Sequence, residues 1–363
     1  MIIGCTKKLQ DEMGIIAKKG CEENDLFSWS ANMVKVSRRK AVVVVNNSSR
    51  FGFILFGLKS KDFKRIDELM LQGIRRCLQD EKIKEEIIER YLSDAGTICF
   101  SKTKGPRYVS RLNRACECVG YFQDLLDLEN IYQLKATREM NIDLVKVSEF
   151  QDKYAFELLL TDFKQIYGDS IVKCEAANLL VKLDLEDNTV ERKIIIPLDV
   201  DFRKLHEVLQ IAFNWNDYHL YEFKVINEKG EQVLKIISEY EEYVDLQDEC
   251  KVVRESEVLI KDYIKDDLKI QYCYDFGDNW QHEIILESII PDYDKNHPIC
   301  LEGIGDAPPE DVGGISGYEE FLEIMADPSH SEHETLKGWA ASQRYKKFDI
   351  CTVNRRLLFN FRR

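Results

Sequence analysis

The hydrophobic pattern of the first third is dominated by one hairpin. Residues 41–45 and 51–56 are apolar runs on either side of Asn46-Asn47-Ser48-Ser49, which predicts two strands joined by a polar loop. Both runs are almost continuously apolar, so the strands are expected at the centre of a sheet covered on both faces. Phe63, Ile66, Met70, Ile74 and Cys77 then recur at helical spacing, predicting a helix over 61–78 that packs on that sheet. Residues 83–91 continue helical, and 1–5 and 97–101 read as short strands. Residues 27–33, with Trp29, read as a packed surface segment. Residues 122–133 and 147–167 read as helices, the second capped by Ser148 and stopped by Gly168.

From residue 171 the pattern changes. Residues 171–185 and 190–196 are strand-like around Glu186-Asp187-Asn188. Phe202, Leu205, Val208, Leu209 and Ala212 define an amphipathic helix, and 219–226 returns as a strand. Residues 239–249 carry six acids and no base, as expected of a solvated excursion. The densest cluster of special residues lies in 270–287, IQYCYDFGDNWQHEIILE, read as two strands joined by Phe276-Gly277-Asp278-Asn279. Pairing Asp275 with Trp280 puts Cys273, Asp275, Trp280 and His282 on one face; a slip by one residue would reverse it. Residues 291–314 read as irregular, followed by helices over 317–327, 330–343 and 351–359. The fold class is α+β: two domains, each a mainly antiparallel sheet packed with helices. The expected division is a basic α+β domain over 1–124, a helical connector over 125–168 and a second α+β domain over 169–363.

At 363 residues, with 44% hydrophobic and 32% charged positions, the chain can bury full cores without disulfides or metals. Its 11 Cys form no CxxC pair, which excludes zinc-ribbon and thioredoxin motifs; free thiols in a reducing cytoplasm are the economical expectation. No run of eighteen apolar residues occurs, so no membrane span is expected. The net charge of −14 is unevenly spread: residues 1–120 carry +8 and the rest −22. A basic half suggests a nucleic-acid or acidic partner, or simple attraction between the halves. Lys35, Arg38, Arg39, Lys40, Lys102, Lys104 and Arg107 are the nucleic-acid candidates, with Arg111 and Arg114 extending the second basic stretch; a solvated loop is the alternative.

The candidate chemistry lies in the second half. Asp275-Phe276-Gly277 spells the metal-binding tripeptide of protein kinases, but no Gly-rich loop or HRD accompanies it, which excludes that class. His219 follows a turn, where side chains are presented. Asp275, Asp278 and His282 sit around the hairpin mouth. Pro308-Pro309-Glu310-Asp311-Val312-Gly313-Gly314 is a loop of restricted shape that displays Glu310 and Asp311. Such carboxylates either hold a divalent cation such as Mg²⁺ or Mn²⁺, or cap the following helix.

LHEVLQIAFNWNDYHLYEF (205–223), YDFGDNWQHEIILE (274–287) and PPEDVGGISGYEEFL (308–322), with Asp327-Pro328 and Phe348-Asp349 before Val353-Asn354, make residues 163–358 resemble the plasmid pRiA4b ORF-3-like family. That family occurs on bacterial plasmids and as a passenger of some insertion sequences. The resemblance implies an α+β domain and brings no activity with it. Two positions depart from the family pattern: Glu191-Arg192 stands where members have Trp-Arg, and Ala307 where many carry a second Cys, which leaves Cys300 as a packed thiol. The opening Thr6-Lys7-Lys8-Leu9 and the later basic loop resemble another bacterial domain family of unknown role. Two functions remain open. One is a non-catalytic interaction module with a protein partner, serving a mobile element. The other is a metal-dependent hydrolase or phosphodiesterase using His219, Asp275, Asp278, His282, Glu310 and Asp311.

Overall fold

The computed structural model describes residues 1–18, 24–142, 144–148, 151–186, 188–241 and 250–362. The expected excursion over 239–249 falls mainly outside them. The chain divides into two compact units, one built mainly from Met1–Lys173 and the other from Cys174–Phe361. Each packs helices on a sheet, an α+β architecture. No helix among the described residues is long and apolar enough to cross a membrane.

The first unit contains, in order, β1 (Ile2–Cys5), α1 (Lys7–Met13), β2 (Ser28–Val36), β3 (Arg39–Asn46), β4 (Gly52–Leu58), α2 (Ile66–Asp80), α3 (Glu85–Ala95), β5 (Cys99–Lys102), α4 (Pro106–Tyr121), α5 (Leu134–Asn141), β6 (Leu144–Ser148), β7 (Gln151–Tyr154) and α6 (Ala155–Tyr167). Its five-stranded sheet runs β4-β3-β2-β1-β5 and is mixed: the first two pairings are antiparallel, the last two parallel. The apolar runs of β3 and β4 are buried throughout, as their lack of alternation predicts, but only β3 lies inside the sheet; β4, expected at its centre, is an edge strand. Gly73 of α2 lies against Phe53, where a Cβ would come within 2.3 Å of the ring; only glycine lets the helix approach so closely. The edge strand β4 is closed to further pairing by the Asn141 side chain, which bonds both the N–H and the C=O of Gly52.

Several expectations are corrected in this unit. Residues 27–33 are no surface segment: most belong to β2, between β3 and β1, and Trp29 is buried. Residues 126–133 are not helical. Residues 147–148 and 151–154 belong to two paired strands rather than helix, and α6 starts at Ala155, with Tyr154 and not Ser148 at its N-cap. Residues 125–168 thus hold a helix, a hairpin and a second helix, all within the first unit. Arg111 and Arg114 lie on α4, not in a loop.

The second unit contains β8 (Cys174–Leu183), β9 (Val190–Pro197), α7 (Phe202–Ala212), β10 (Tyr221–Asn227), β11 (Gln232–Ile237), β12 (Lys251–Arg254), β13 (Leu268–Tyr274), β14 (Trp280–Tyr293), β15 (Ile299–Ile304), α8 (Gly314–Ala326), α9 (His333–Ser342) and α10 (Ile350–Asn360). The eight-stranded sheet has the order β12-β11-β10-β13-β14-β8-β9-β15, antiparallel except for β11–β12. Phe202, Leu205, Val208 and Leu209 of α7 join Phe223, Tyr272 and Ile284 of the sheet in one core. Residues 299–304, expected to be irregular, form the edge strand β15.

The register of the β13–β14 hairpin differs by one residue from the expected one. Tyr274 faces Trp280 and Tyr272 faces His282. Asp275 is not the last strand residue: its φ of 56° turns the chain, and Asn279 N–H donates to its carbonyl. The consequence follows from strand alternation. Tyr272, Tyr274, Trp280 and His282 all point into the core, and Cys273 takes the opposite face.

Candidate metal centre

Three loops meet at the open end of the β13–β14 hairpin. The first, residues 214–220, links α7 to β10 and turns at Asn214 and Asp217, both at positive φ. It is tied down along its length. Trp215 Nε1 donates to Pro308 O at 3.0 Å, Asn216 N to Glu310 Oε1 at 2.7 Å, Asp217 N to Gln210 Oε1 at 2.9 Å, and Tyr218 N to Tyr274 Oη at 3.1 Å. The second is the hairpin turn, where Asp275 N donates to Leu220 O at 3.0 Å. The third is the Pro-Gly loop before α8. There Gly313 and Gly314 have φ of 94° and 71°, and a Cβ on Gly314 would come within 3.1 Å of Asp278 O. The two glycines let this loop lie directly on the hairpin turn.

The loops bring one histidine and three carboxylates together. His219 Nε2 lies 3.0 Å from Asp311 Oδ1, 3.5 Å from Asp275 Oδ2 and 4.0 Å from Glu310 Oε2. None of these contacts is aligned as a hydrogen bond, although the nitrogen is shielded from solvent. One ligand atom each from His219, Asp275 and Asp311 lie within 4.8 Å of one another. Asp275 is almost buried and its Oδ1 is committed to the turn, accepting from Gly277 N at 2.8 Å and Asp278 N at 3.3 Å; its Oδ2 faces the histidine. Asp311 is exposed at the rim.

Glu310 is the deepest member. It does not cap α8, whose N-cap is Gly313, but turns inward to accept from Asn216 N and from Tyr274 Oη at 3.1 and 3.2 Å. Burial raises its carboxyl above the usual range, against the lowering effect of those bonds and of His219. Folding therefore favours the protonated form. Below the ordinary carboxyl pKa of about 4.3 the residue is neutral in both states and the folded chain bears no penalty. As pH rises through the higher folded pKa, the ionised group destabilises the fold. Glu310→Gln is thus expected to raise the urea midpoint at neutral pH, with the gain vanishing in acid. A midpoint that falls at pH 7 and not at pH 4 would reverse this sign.

Two of the six expected site residues play other parts. Asp278 Oδ2 accepts from Gly313 N at 3.2 Å, so this carboxylate fastens one loop to another. His282 is not at the mouth. The observed register buries it against the edges of Phe213 and Trp215, with Nδ1 3.2 and 3.1 Å from the Tyr272 and Trp280 carbonyls. Burial pushes its pKa down to about 3, leaving a neutral core side chain. A third histidine, His206, is satisfied between Tyr272 Oη and Asp217 Oδ1 at 2.8 and 2.9 Å.

In the first unit the nucleic-acid candidates are dispersed. Lys35 lies near the end of β2, Arg38 in the β2–β3 turn, and Arg39 and Lys40 at the start of β3, with Lys40 paired to Glu12. Lys102 ends β5. Lys104 pairs with Asp25 at 2.7 Å, and Arg107 opens α4.

Residues 175–356 match the profile of the plasmid pRiA4b ORF-3-like protein family. Residues 2–156 match a domain of unknown function, DUF6933. A curated relative from Sinorhizobium fredii (strain NBRC 101917 / NGR234), uncharacterized protein y4hQ, is 36% identical over 167 residues, 46% of this chain and 81% of that protein. The crystal structure of MM3350, a protein of unknown function from Methanosarcina mazei Go1, is similar over 50% of this chain and 98% of its own, with 33% identity and a TM-score of 0.42.

Proposed function

The chain belongs to the plasmid pRiA4b ORF-3-like family, and from that premise we propose that its second unit is a cation-dependent interaction module. A divalent cation binds His219 Nε2, Asp275 Oδ2 and Asp311 Oδ1, and its open coordination positions take an anionic group of a partner protein. We set the module among the accessory proteins of plasmids and insertion sequences. The observation that carries this reading is the mutual spacing of the three ligand atoms. Ligands about 2.1 Å from a metal and at right angles to one another stand about 3 Å apart. The separations of 3.0 and 3.5 Å from His219 Nε2 are near that edge. One imidazole with two carboxylates suits Mn²⁺, and Asp275 is held by the turn amides before any ion arrives.

Binding is favoured over hydrolysis because no carboxylate stands ready as a base: Glu310 is held by Asn216 and Tyr274, and Asp278 by Gly313. A metal-dependent phosphodiesterase is the second reading. It is supported by the elevated pKa of Glu310 beside His219, a feature suited to proton transfer. Thermal unfolding separates the alternatives. Mn²⁺ at roughly 100 times its Kd is expected to raise the Tm of the second unit by about 5 °C or more, and Asp275→Asn with Asp311→Asn abolishes the rise. Turnover of bis(p-nitrophenyl) phosphate with Mn²⁺ would favour the hydrolase. The absence of any Tm rise in the unaltered chain would refute both.

A further inference from the structure

In the second unit, α8 and α9 border a groove of about 420 Å³ whose lining is part apolar and part acidic. It arises from the same helical repeat on both elements. On α8, Gly317, Glu320, Phe321 and Ile324 are spaced i, i+3, i+4 and i+7. Glu332, at the N-cap of α9, is followed at the same intervals by Thr335, Leu336 and Trp339. Phe321 and Ile324 are buried, Leu336 and Trp339 half-buried, and the Trp339 ring meets Phe321 edge-on at 6.3 Å. Val312 joins the wall from the Pro-Gly loop. Glycine at 317 admits it, because a Cβ there would come within 2.0 Å of Val312 O.

The charges on the lining are Asp311, Glu320 and Glu332, and no Lys, Arg or His is among its described residues. Asp311 faces His219 and belongs to the cation site, so the groove's own charge is that of the two glutamates. Both are exposed. Helix α8 carries no base, and the two bases of α9, His333 and Lys337, lie against Glu334. An apolar wall in contact with water is stabilised by an apolar side chain that covers it. Carboxylates on both helices favour lysine or arginine beside that side chain and disfavour acids. A merely solvated acidic face would need no apolar groove between its carboxylates, and a half-buried tryptophan is the kind of side chain on which interface energy concentrates.

We propose that the α8–α9 groove docks a segment of a partner protein that carries a large apolar side chain flanked by lysine or arginine. The apolar side chain lies against Phe321, Leu336 and Trp339, and its basic neighbours meet Glu320 and Glu332. Docking of this kind rests on the reading of the second unit as a protein-binding module, and it needs no cation at His219.

The test is fluorescence anisotropy with the full chain at physiological salt and EDTA present. The probes are three labelled, end-blocked peptides: a tryptophan-leucine centre flanked by lysines, the same centre flanked by glutamates, and an alanine-alanine centre flanked by lysines. The first is expected to bind saturably, and the other two at least about tenfold more weakly. Glu320→Lys with Glu332→Lys, both on the exposed edges of the groove, is expected to reverse the preference between the lysine and glutamate peptides. Glu323→Lys with Glu334→Lys changes the net charge equally on the same helices but outside the lining, and is expected to keep the preference for lysine. Docking is refuted if the first peptide does not bind, if the alanine-centred peptide binds as well, or if the two double variants behave alike. Self-association of the chain that Glu320→Lys with Glu332→Lys abolishes would assign the groove to a second copy instead. Thermal unfolding with Mn²⁺ reads the cation site separately: a Tm that Mn²⁺ leaves unmoved removes the cation and not the groove, whereas a raised Tm with no peptide bound removes the groove and not the cation.

Discussion

Arg192→Met is expected to destabilise the second unit by more than about 4 kcal/mol. Arg192 is completely buried in strand β9, and among the described residues its hydrogen bonds go to backbone carbonyls and not to a carboxylate. Nε donates to Ala212 O at 2.8 Å, Nη1 to Glu191 O and Ile304 O at 2.8 Å, and Nη2 to Gly305 O at 3.0 Å. The guanidinium lies between two rings, with its carbon 4.1 Å from the Phe348 centroid and 5.1 Å from that of Phe213. Burial pulls its pKa down to about 10, which leaves it charged at neutral pH. The partial negative charge at the end of α7, where Ala212 lies, favours that cation. Buried ion pairs can often be replaced by apolar side chains without loss. Here the acceptors are main chain and would remain, each unsatisfied carbonyl costing about 1–3 kcal/mol. Arg192→Lys is expected to lose roughly half as much, because an ammonium can reach only some of the carbonyls and cannot stack. Urea unfolding followed by the tryptophans checks both; a methionine variant within about 1 kcal/mol of the parent would contradict the account.

The second large effect appears in acid. His282 has a folded pKa of about 3, while an unfolded histidine titrates near 6.5. Between those values the unfolded chain takes up a proton that the folded chain refuses. Stability is therefore lost as pH falls below 6.5, by about 1.4 kcal/mol for each pH unit, until the loss levels off near pH 3. His282→Asn retains a donor for the strand carbonyls and removes the titration. Its stability relative to the parent is expected to climb steadily from pH 6.5 down to pH 4. Parallel stability curves for the two proteins over that range would show that His282 is not a buried neutral base.

The physical character of each feature decides how visible it was in the sequence. Strands β3 and β4 were legible as strands because short apolar runs flank a polar turn, though nothing in them showed that β4 is the sheet edge; α7 was legible because Phe202, Leu205 and Leu209 repeat at helical spacing. The three loops of the candidate site were legible through their turn chemistry, in the turn before His219, in Phe276-Gly277-Asp278-Asn279 and in Pro308-Pro309 with Gly313-Gly314. The strand register was not, because Asp275 could equally end a strand or begin a turn. Its positive φ shifted the pairing by one residue, so that Tyr272 and Tyr274, not Cys273 and Asp275, share the core face with Trp280 and His282. Strand β15 was hidden because edge strands need little apolar alternation, and α4 because its arginines read as a basic loop. Arg192 gave no signal: an arginine in an alternating strand implies solvent, and only the carbonyls of distant segments make its burial tolerable.

The central claim, that the hairpin mouth holds a divalent cation, is tested most directly by crystals grown with MnCl₂ and measured above the manganese absorption edge. An anomalous difference peak is expected about 2.0–2.3 Å from His219 Nε2, Asp275 Oδ2 and Asp311 Oδ1, lost in Asp275→Asn crystals. A structure at full manganese concentration with no peak there, and with His219 hydrogen-bonded to Asp311 instead, would contradict it.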